Sequence, residues 1–118
     1  MKHVICRFAA LLVAISVYAT AAAAHAHLDH ASPPVGSTVG SSPGQVTLYF
    51  TENLEPKFSG AEVHSASGGR VDKGSHASGN TLTVSVGGLT PGSYTVNWHV
   101  LSVDTHKTQG SFSFRVGK

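Results

Sequence analysis

Sulfur is nearly missing from this 118-residue sequence, whose one cysteine, Cys6, and one methionine, Met1, both fall within its first six positions. A long spanning run is missing too. Lys2 and Arg7 lead into an apolar stretch from Phe8 to Ala24 that ends in an Ala-x-Ala arrangement before a polar segment. Seventeen residues that include Ser16, Tyr18 and Thr20 fall short of the ~20 predominantly apolar residues a transmembrane helix needs, and the pattern is that of a cleaved secretory signal peptide. Its removal leaves 118 − 24 = 94 residues, one domain's worth with one modest core. The expected organisation is therefore a leader over 1–24 and a single domain over 25–118.

Cleavage removes Cys6 and Met1 along with the leader. The remaining domain can form no disulfide and must be held by packing alone, although its destination is oxidising. Soft sulfur is what Cu(I) selects, so any metal here is held by imidazole, amine or carboxylate. An excess of one charge sign is absent as well. With Lys2 and Arg7 gone, six Lys and Arg stand against six Asp and Glu, and no basic patch argues for nucleic acid or an anionic membrane surface.

Helical periodicity is also lacking. After Pro33 and Pro34 the chain reads as short alternating runs separated by Gly, Ser and Pro, an all-β pattern. Val46, Leu48 and Phe50 alternate with Thr47, Tyr49 and Thr51, and Leu82, Val84 and Val86 alternate with Thr81, Thr83 and Ser85. Each run is a strand with one face buried. Tyr94, Val96, Trp98 and Val100 share a face in the same way, as do Phe112, Phe114 and Val116 in a strand over 111–116. Weaker strands are expected over 60–64 and 70–73, around a Gly68-Gly69 turn, and near Leu28. About seven short strands predict an Ig-like, Greek-key β-sandwich. Leu89-x-Pro91-Gly92-x-Tyr94 matches a tyrosine corner, in which the phenol bonds back to upstream backbone.

Between the last two strands lie Asp104, Thr105 and His106. In extended chain a carboxylate and an imidazole two residues apart point the same way, with Cα atoms roughly 7 Å apart. That suits two ligands on one metal; a solvated acidic turn is the plainer reading. Signal cleavage after Ala24 makes His25 the N-terminus, while the alternative cut after Ala26 makes it His27. A free N-terminal histidine offers both its α-amine and ring Nδ1 to one ion. Imidazole and amine suit Cu(II), and the amine, with a pKa near ~8, yields its proton readily. A His106 nitrogen and an Asp104 oxygen would complete four ligands. The free-amine terminus His25-Ala26-His27 is a rival site, wrapping Cu(II) with the amine, two deprotonated amides and the His27 ring.

These motifs, in order, resemble the CopC family of periplasmic copper-resistance proteins. The resemblance runs from His25 through Leu28, Ser32-Pro33, Phe50-Thr51-Glu52-Asn53-Leu54, Phe58-Ser59-Gly60, Gly92-x-Tyr94 and Trp98 to Ser102-Val103-Asp104-Thr105-His106 and Val116. It implies one Cu(II) per chain, bound by the amine and ring of His25 with Asp104 and His106, and with Glu52 as a nearby acid. Members with a Cu(I) site carry a methionine-rich segment in mid-sequence; the corresponding stretch here, 65–80, has none, so no Cu(I) site is expected. The resemblance further implies a monomeric periplasmic carrier or buffer, working beside a CopD-type inner-membrane protein and catalysing nothing. Two rivals belong to other classes. A copper-dependent oxidative enzyme with a histidine brace needs a broad substrate face that 94 residues with one Trp hardly supply. A structural Ig-like module with incidental histidines would bind no metal.

Overall fold

The computed structural model describes residues 26–118; the predicted leader and His25 lie outside them. Eight strands follow in order: β1 (Leu28–Ser32), β2 (Thr38–Val39), β3 (Gln45–Phe50), β4 (Gly60–Ser65), β5 (Asp72–Ser78), β6 (Thr81–Val86), β7 (Gly92–Leu101) and β8 (Lys107–Val116), with a 3₁₀ turn over Pro56–Phe58 between β3 and β4. They form two four-stranded sheets, ordered β1-β3-β6-β5 and β2-β8-β7-β4. All pairings are antiparallel except β2 with β8. The predicted two-sheet sandwich is thus the observed one. No helix among the described residues is long and apolar enough to cross a membrane.

The alternation in the sequence becomes the core. Val46, Leu48 and Phe50 of β3 and Leu82, Val84 and Val86 of β6 face Val63 of β4, Tyr94, Val96 and Val100 of β7, and Phe112, Phe114 and Val116 of β8, all buried. Trp98 packs at the margin of this core, edge-on to Phe50 at 5.1 Å between ring centroids. Its cross-strand partner is Gly110. An ideal Cβ at Gly110 would sit 2.6 Å from Trp98 Cζ2, so the indole occupies the place a side chain there would take. The tyrosine corner is present: Tyr94 Oη donates to the Thr90 carbonyl at 2.6 Å.

The expected count of about seven strands is met by eight among the described residues; one of them, β2, has two residues that pair with Arg115 and Val116 at the end of β8, too few to show a period. Three expectations need correction. The strand expected over 70–73 is instead Asp72–Ser78. Gly74, at φ +118°, breaks its register against β6 and only Ala77 is buried, so the alternation that marks other strands is missing. The final strand begins at Lys107 rather than 111, because its first residues pair with β7 although their side chains are mostly exposed. Asp104 to His106 is not extended chain: it belongs to the turn that joins β7 to β8, with Thr105 at φ +75°.

Candidate metal centre

The β7–β8 hairpin closes at the Leu101–Lys107 pair, and its turn is built around Ser102, which is wholly buried. The Ser102 N–H donates to the His106 carbonyl at 3.0 Å, and the Thr105 N–H donates to the Ser102 carbonyl at 2.9 Å. The His106 N–H approaches Ser102 Oγ at 3.3 Å. Having one proton to give, the Ser102 hydroxyl gives it to Asp104 Oδ1, its nearest acceptor. Serine and aspartate thus supply the turn with side-chain bonds that would otherwise come from water.

The turn brings the two predicted ligands together. His106 Nδ1 lies 3.4 Å from Asp104 Oδ1, and the two side chains are 42% and 44% exposed. The hydrogen bond from Ser102 holds the Asp104 carboxyl below its ordinary pKa; desolvation opposes this, and the neighbouring His106 adds to the lowering. An ionised carboxylate beside an imidazole, both side chains partly exposed, pairs a hard oxygen with a borderline nitrogen donor, the types that divalent ions take.

A second segment reaches the same end of the sandwich. Ala26 is completely buried, and its carbonyl accepts from Thr108 Oγ1 at 2.8 Å. The His27 N–H donates to Thr51 Oγ1 at 2.9 Å, and the Thr51 N–H returns a bond to the His27 carbonyl at 2.9 Å. Two threonines, one just past β3 and one two residues beyond His106, therefore clamp the backbone that continues from residue 25. The loop carrying Glu52 abuts the turn as well: the Val103 N–H donates to the Asn53 carbonyl at 3.0 Å, and Leu54 bridges to Ser102. Glu52 itself is half-buried.

Asp104 and His106 are thus brought into contact, while His27 and Glu52 sit on the two segments that adjoin them. Among the described residues no group of three or more His, Cys, Asp or Glu gathers to hold an ion, and His25 falls outside them. The clamping roles of Thr51 and Thr108 were not read from the sequence. The Ala26–Thr108 bond spans 82 positions, and only the packing of the two sheets brings its ends together.

Two other histidines, His30 and His64, have local partners. His30 Nδ1 is 2.7 Å from Asp29 Oδ2, and its ring stacks on Tyr49 at 4.3 Å. His64 has the Gly68 carbonyl at 3.1 Å from Nδ1 and Glu62 Oε1 at 2.9 Å from Nε2. Acceptors at both nitrogens favour the doubly protonated ring, and the Gly68 carbonyl, then Glu62, raise the His64 pKa.

Comparison with known proteins agrees with this architecture. The family model for the CopC domain matches residues 28–117. Protein YobA of Escherichia coli K12 is 36% identical over 115 residues, covering 93% of each chain. Copper resistance protein C of Pseudomonas syringae pv. tomato is 32% identical over 119 residues, covering 92% of this chain and 94% of that one. The crystal structure of CopC from Methylosinus trichosporium OB3b superposes with a TM-score of 0.75 at 33% identity, over 79% of this chain and 94% of that one. With a domain match that takes in every strand, and relatives alike over nearly their whole length, the chain belongs to the CopC family.

Proposed function

We propose that this protein is a periplasmic Cu(II)-binding protein that buffers, sequesters or delivers copper, holding one ion through the amine and ring of His25 together with Asp104 and His106. The observation that carries the reading is the pair itself: an ionised carboxylate and an imidazole 3.4 Å apart on one turn, beside a clamped backbone that leads directly to residue 25. Copper resistance protein C, a relative over most of its length, supports copper as the cargo. Copper(II) favours nitrogen ligands and tops the divalent affinity order, and a domain without methionine or cysteine after residue 6 offers nothing for a separate Cu(I) site. The protein acts as a monomer, sheds its leader at residue 24 and passes the ion to a CopD-type inner-membrane protein. No catalytic step is assigned to it.

The rival terminal site is opposed by the same clamp. Wrapping the ion with deprotonated amides of residues 26 and 27 would take the proton from the His27 N–H, which is bonded to Thr51, and would draw Ala26 out of full burial. The brace leaves both undisturbed. In a competition titration of the secreted protein, His106→Ala is expected to weaken Cu(II) binding by more than about a hundredfold, since even outer-shell partners of metal sites are worth about 10–100-fold. It should also change the visible and EPR spectra. Asp104→Asn should cost less, and His27→Ala least. Loss of binding in His27→Ala with His106→Ala unaffected would place the ion on the terminal tripeptide instead.

A further inference from the structure

The outward face of the β4–β7–β8 sheet carries a groove of about 530 Å³, lined in part by Lys57, Phe58, His99, Lys107 and Gln109. His99 and Gln109 are cross-strand partners, both exposed. His99 comes close to β4 because Gly60 opposes it; an ideal Cβ at Gly60 would lie 3.3 Å from His99 Cε1 and 3.1 Å from Ser75 Oγ. Lys57 and Phe58 belong to the 3₁₀ turn, and that turn is tied to β7 at both ends. The Glu55 N–H donates to the Leu101 carbonyl at 2.8 Å, and the Leu101 N–H donates to Ser59 Oγ at 3.1 Å.

Phe58 is therefore a 61% exposed aromatic on a braced backbone. Among the described residues the large exposed hydrophobics are Val35, Phe58 and Val103. Two of these three flank the Asp104–His106 turn: Val103 precedes Asp104, and Phe58 shares its groove with Lys107, the residue after His106. Exposed apolar groups concentrated at one end of a small domain mark a contact surface. The groove's charge is one-sided. Its charged lining residues are Lys57 and Lys107, with no carboxylate among them, in a domain whose six Lys and Arg only match its six Asp and Glu overall. Nucleic acid fits poorly, because the surface as a whole lacks the basic excess that such binding needs. An acidic polypeptide with an apolar anchor fits both features: the anchor covers Phe58, and flanking carboxylates meet the lysines.

We infer that this groove is the docking site for an acidic segment of a partner protein, one that packs an apolar side chain on Phe58 between carboxylates held by Lys57 and Lys107. The exchange of copper across this contact rests on the function proposed above; the chemistry of the groove does not. A partner seated here would lie against the residue that follows His106, so the ion would sit at the edge of the interface.

The test is an NMR titration of the metal-free protein with a synthetic peptide in which one leucine is flanked on each side by two aspartates. Controls are a lysine-flanked leucine peptide, an aspartate peptide lacking leucine, and phosphatidylglycerol vesicles. Saturable binding is expected at low salt, with shift changes concentrated at Phe58, His99, Lys107 and Gln109. Affinity should fall at least tenfold in a Lys57→Glu/Lys107→Glu variant, which should gain the lysine-flanked peptide. Phe58→Ser should weaken the leucine peptide while leaving the amide spectrum of the core in place. Lack of saturation, shifts on another face, indifference to the charge reversal, or preference for the vesicles would each overturn the proposal. Because no metal is present, copper affinity is measured separately: a protein that binds peptide but no copper refutes the proposed function alone, and the converse refutes the docking site alone.

Discussion

Ser102, wholly buried, gives its hydroxyl proton to Asp104, a carboxylate whose side chain is 44% exposed. The serine is thus the rigid half of the pair, and it keeps the acid ionised further down the pH scale than an ordinary aspartate. In Ser102→Ala the Asp104 pKa should rise toward its usual value, as read by NMR titration of the side-chain carboxyl in metal-free protein. The sign follows from linkage. A depressed carboxyl pKa stabilises the native state above the unfolded pKa, and that contribution is lost as pH falls through the folded value; as the variant's folded pKa returns toward the unfolded one, the contribution itself shrinks. If Asp104 holds copper as proposed, the acid limit of binding should move up with that pKa. An unchanged Asp104 titration in the variant would remove Ser102 from this role.

Asp72 shows the same logic in the framework. Its carboxylate accepts from the Val63 N–H at 2.9 Å, from Arg70 Nε at 2.9 Å and from Arg70 Nη2 at 3.1 Å, tying the start of β5 to β4 across the two sheets. Burial pushes its pKa up, but the bonds from Arg70 and Val63, with the charge of Arg70, outweigh this and leave it lowered. Asp72→Asn should cost about 1.5–3 kcal/mol, the range for hydrogen bonds to a charged group, in urea unfolding at pH 7. Since the folded pKa is the lower one, that difference should persist above the unfolded pKa near 3.8 and shrink as pH falls below it. A deficit independent of pH would mean that packing, not charge, sets the cost.

The strands with clean alternation, such as β3 and β6, were legible because one apolar face is all that a strand on a sandwich needs. The tyrosine corner was legible because Pro91 and Gly92 force the turn that aims Tyr94 at upstream backbone. By contrast β5 is an edge strand with a single buried side chain and a glycine bulge, so neither burial nor period marks it. The proximity of Asp104 and His106 followed from their spacing, but the wrong backbone was assumed: extended chain and a tight turn can both bring residues two apart together. That Ser102 organises this turn was invisible, since its several bonds depend on the turn already being closed.

Gly110 carries no chemistry, yet it sets the position of Trp98. A Cβ at 110 would lie 2.6 Å from Cζ2 and 2.9 Å from Cε2 of the indole, which is already packed edge-on against Phe50. Gly110→Ala should therefore destabilise by roughly 1–3 kcal/mol, as overpacked cores do, lowering the melting temperature by about 4–8 °C for each kcal/mol. Trp98 is the only tryptophan in the chain, so displacement of the ring should appear as a shift in the protein's fluorescence. An unshifted emission with native stability would show that the ring has room to spare.

The clamp on Ala26 and His27 makes the sharpest demand on the terminus. The Ala26 carbonyl is fixed by Thr108 and the His27 amide by Thr51, and the covalent chain leaves the Cα of residue 25 only about 3.8 Å from that of Ala26. If the ion is held by the amine and ring of His25 with Asp104 and His106, the secreted protein must begin at His25, and mass spectrometry should find that mass. Acetylating the amine should then be as harmful as replacing the ring, because only a free terminal amine closes the chelate; each should cost more than about a hundredfold in affinity, above the 10–100-fold typical of outer-shell changes. Thr108→Val removes one neutral hydrogen bond, about 1 kcal/mol, and should weaken copper binding by about fivefold while leaving its EPR spectrum unchanged, since no ligand is lost. A chain that starts at His27 yet binds fully, or an acetylated terminus with native affinity, would eliminate the brace.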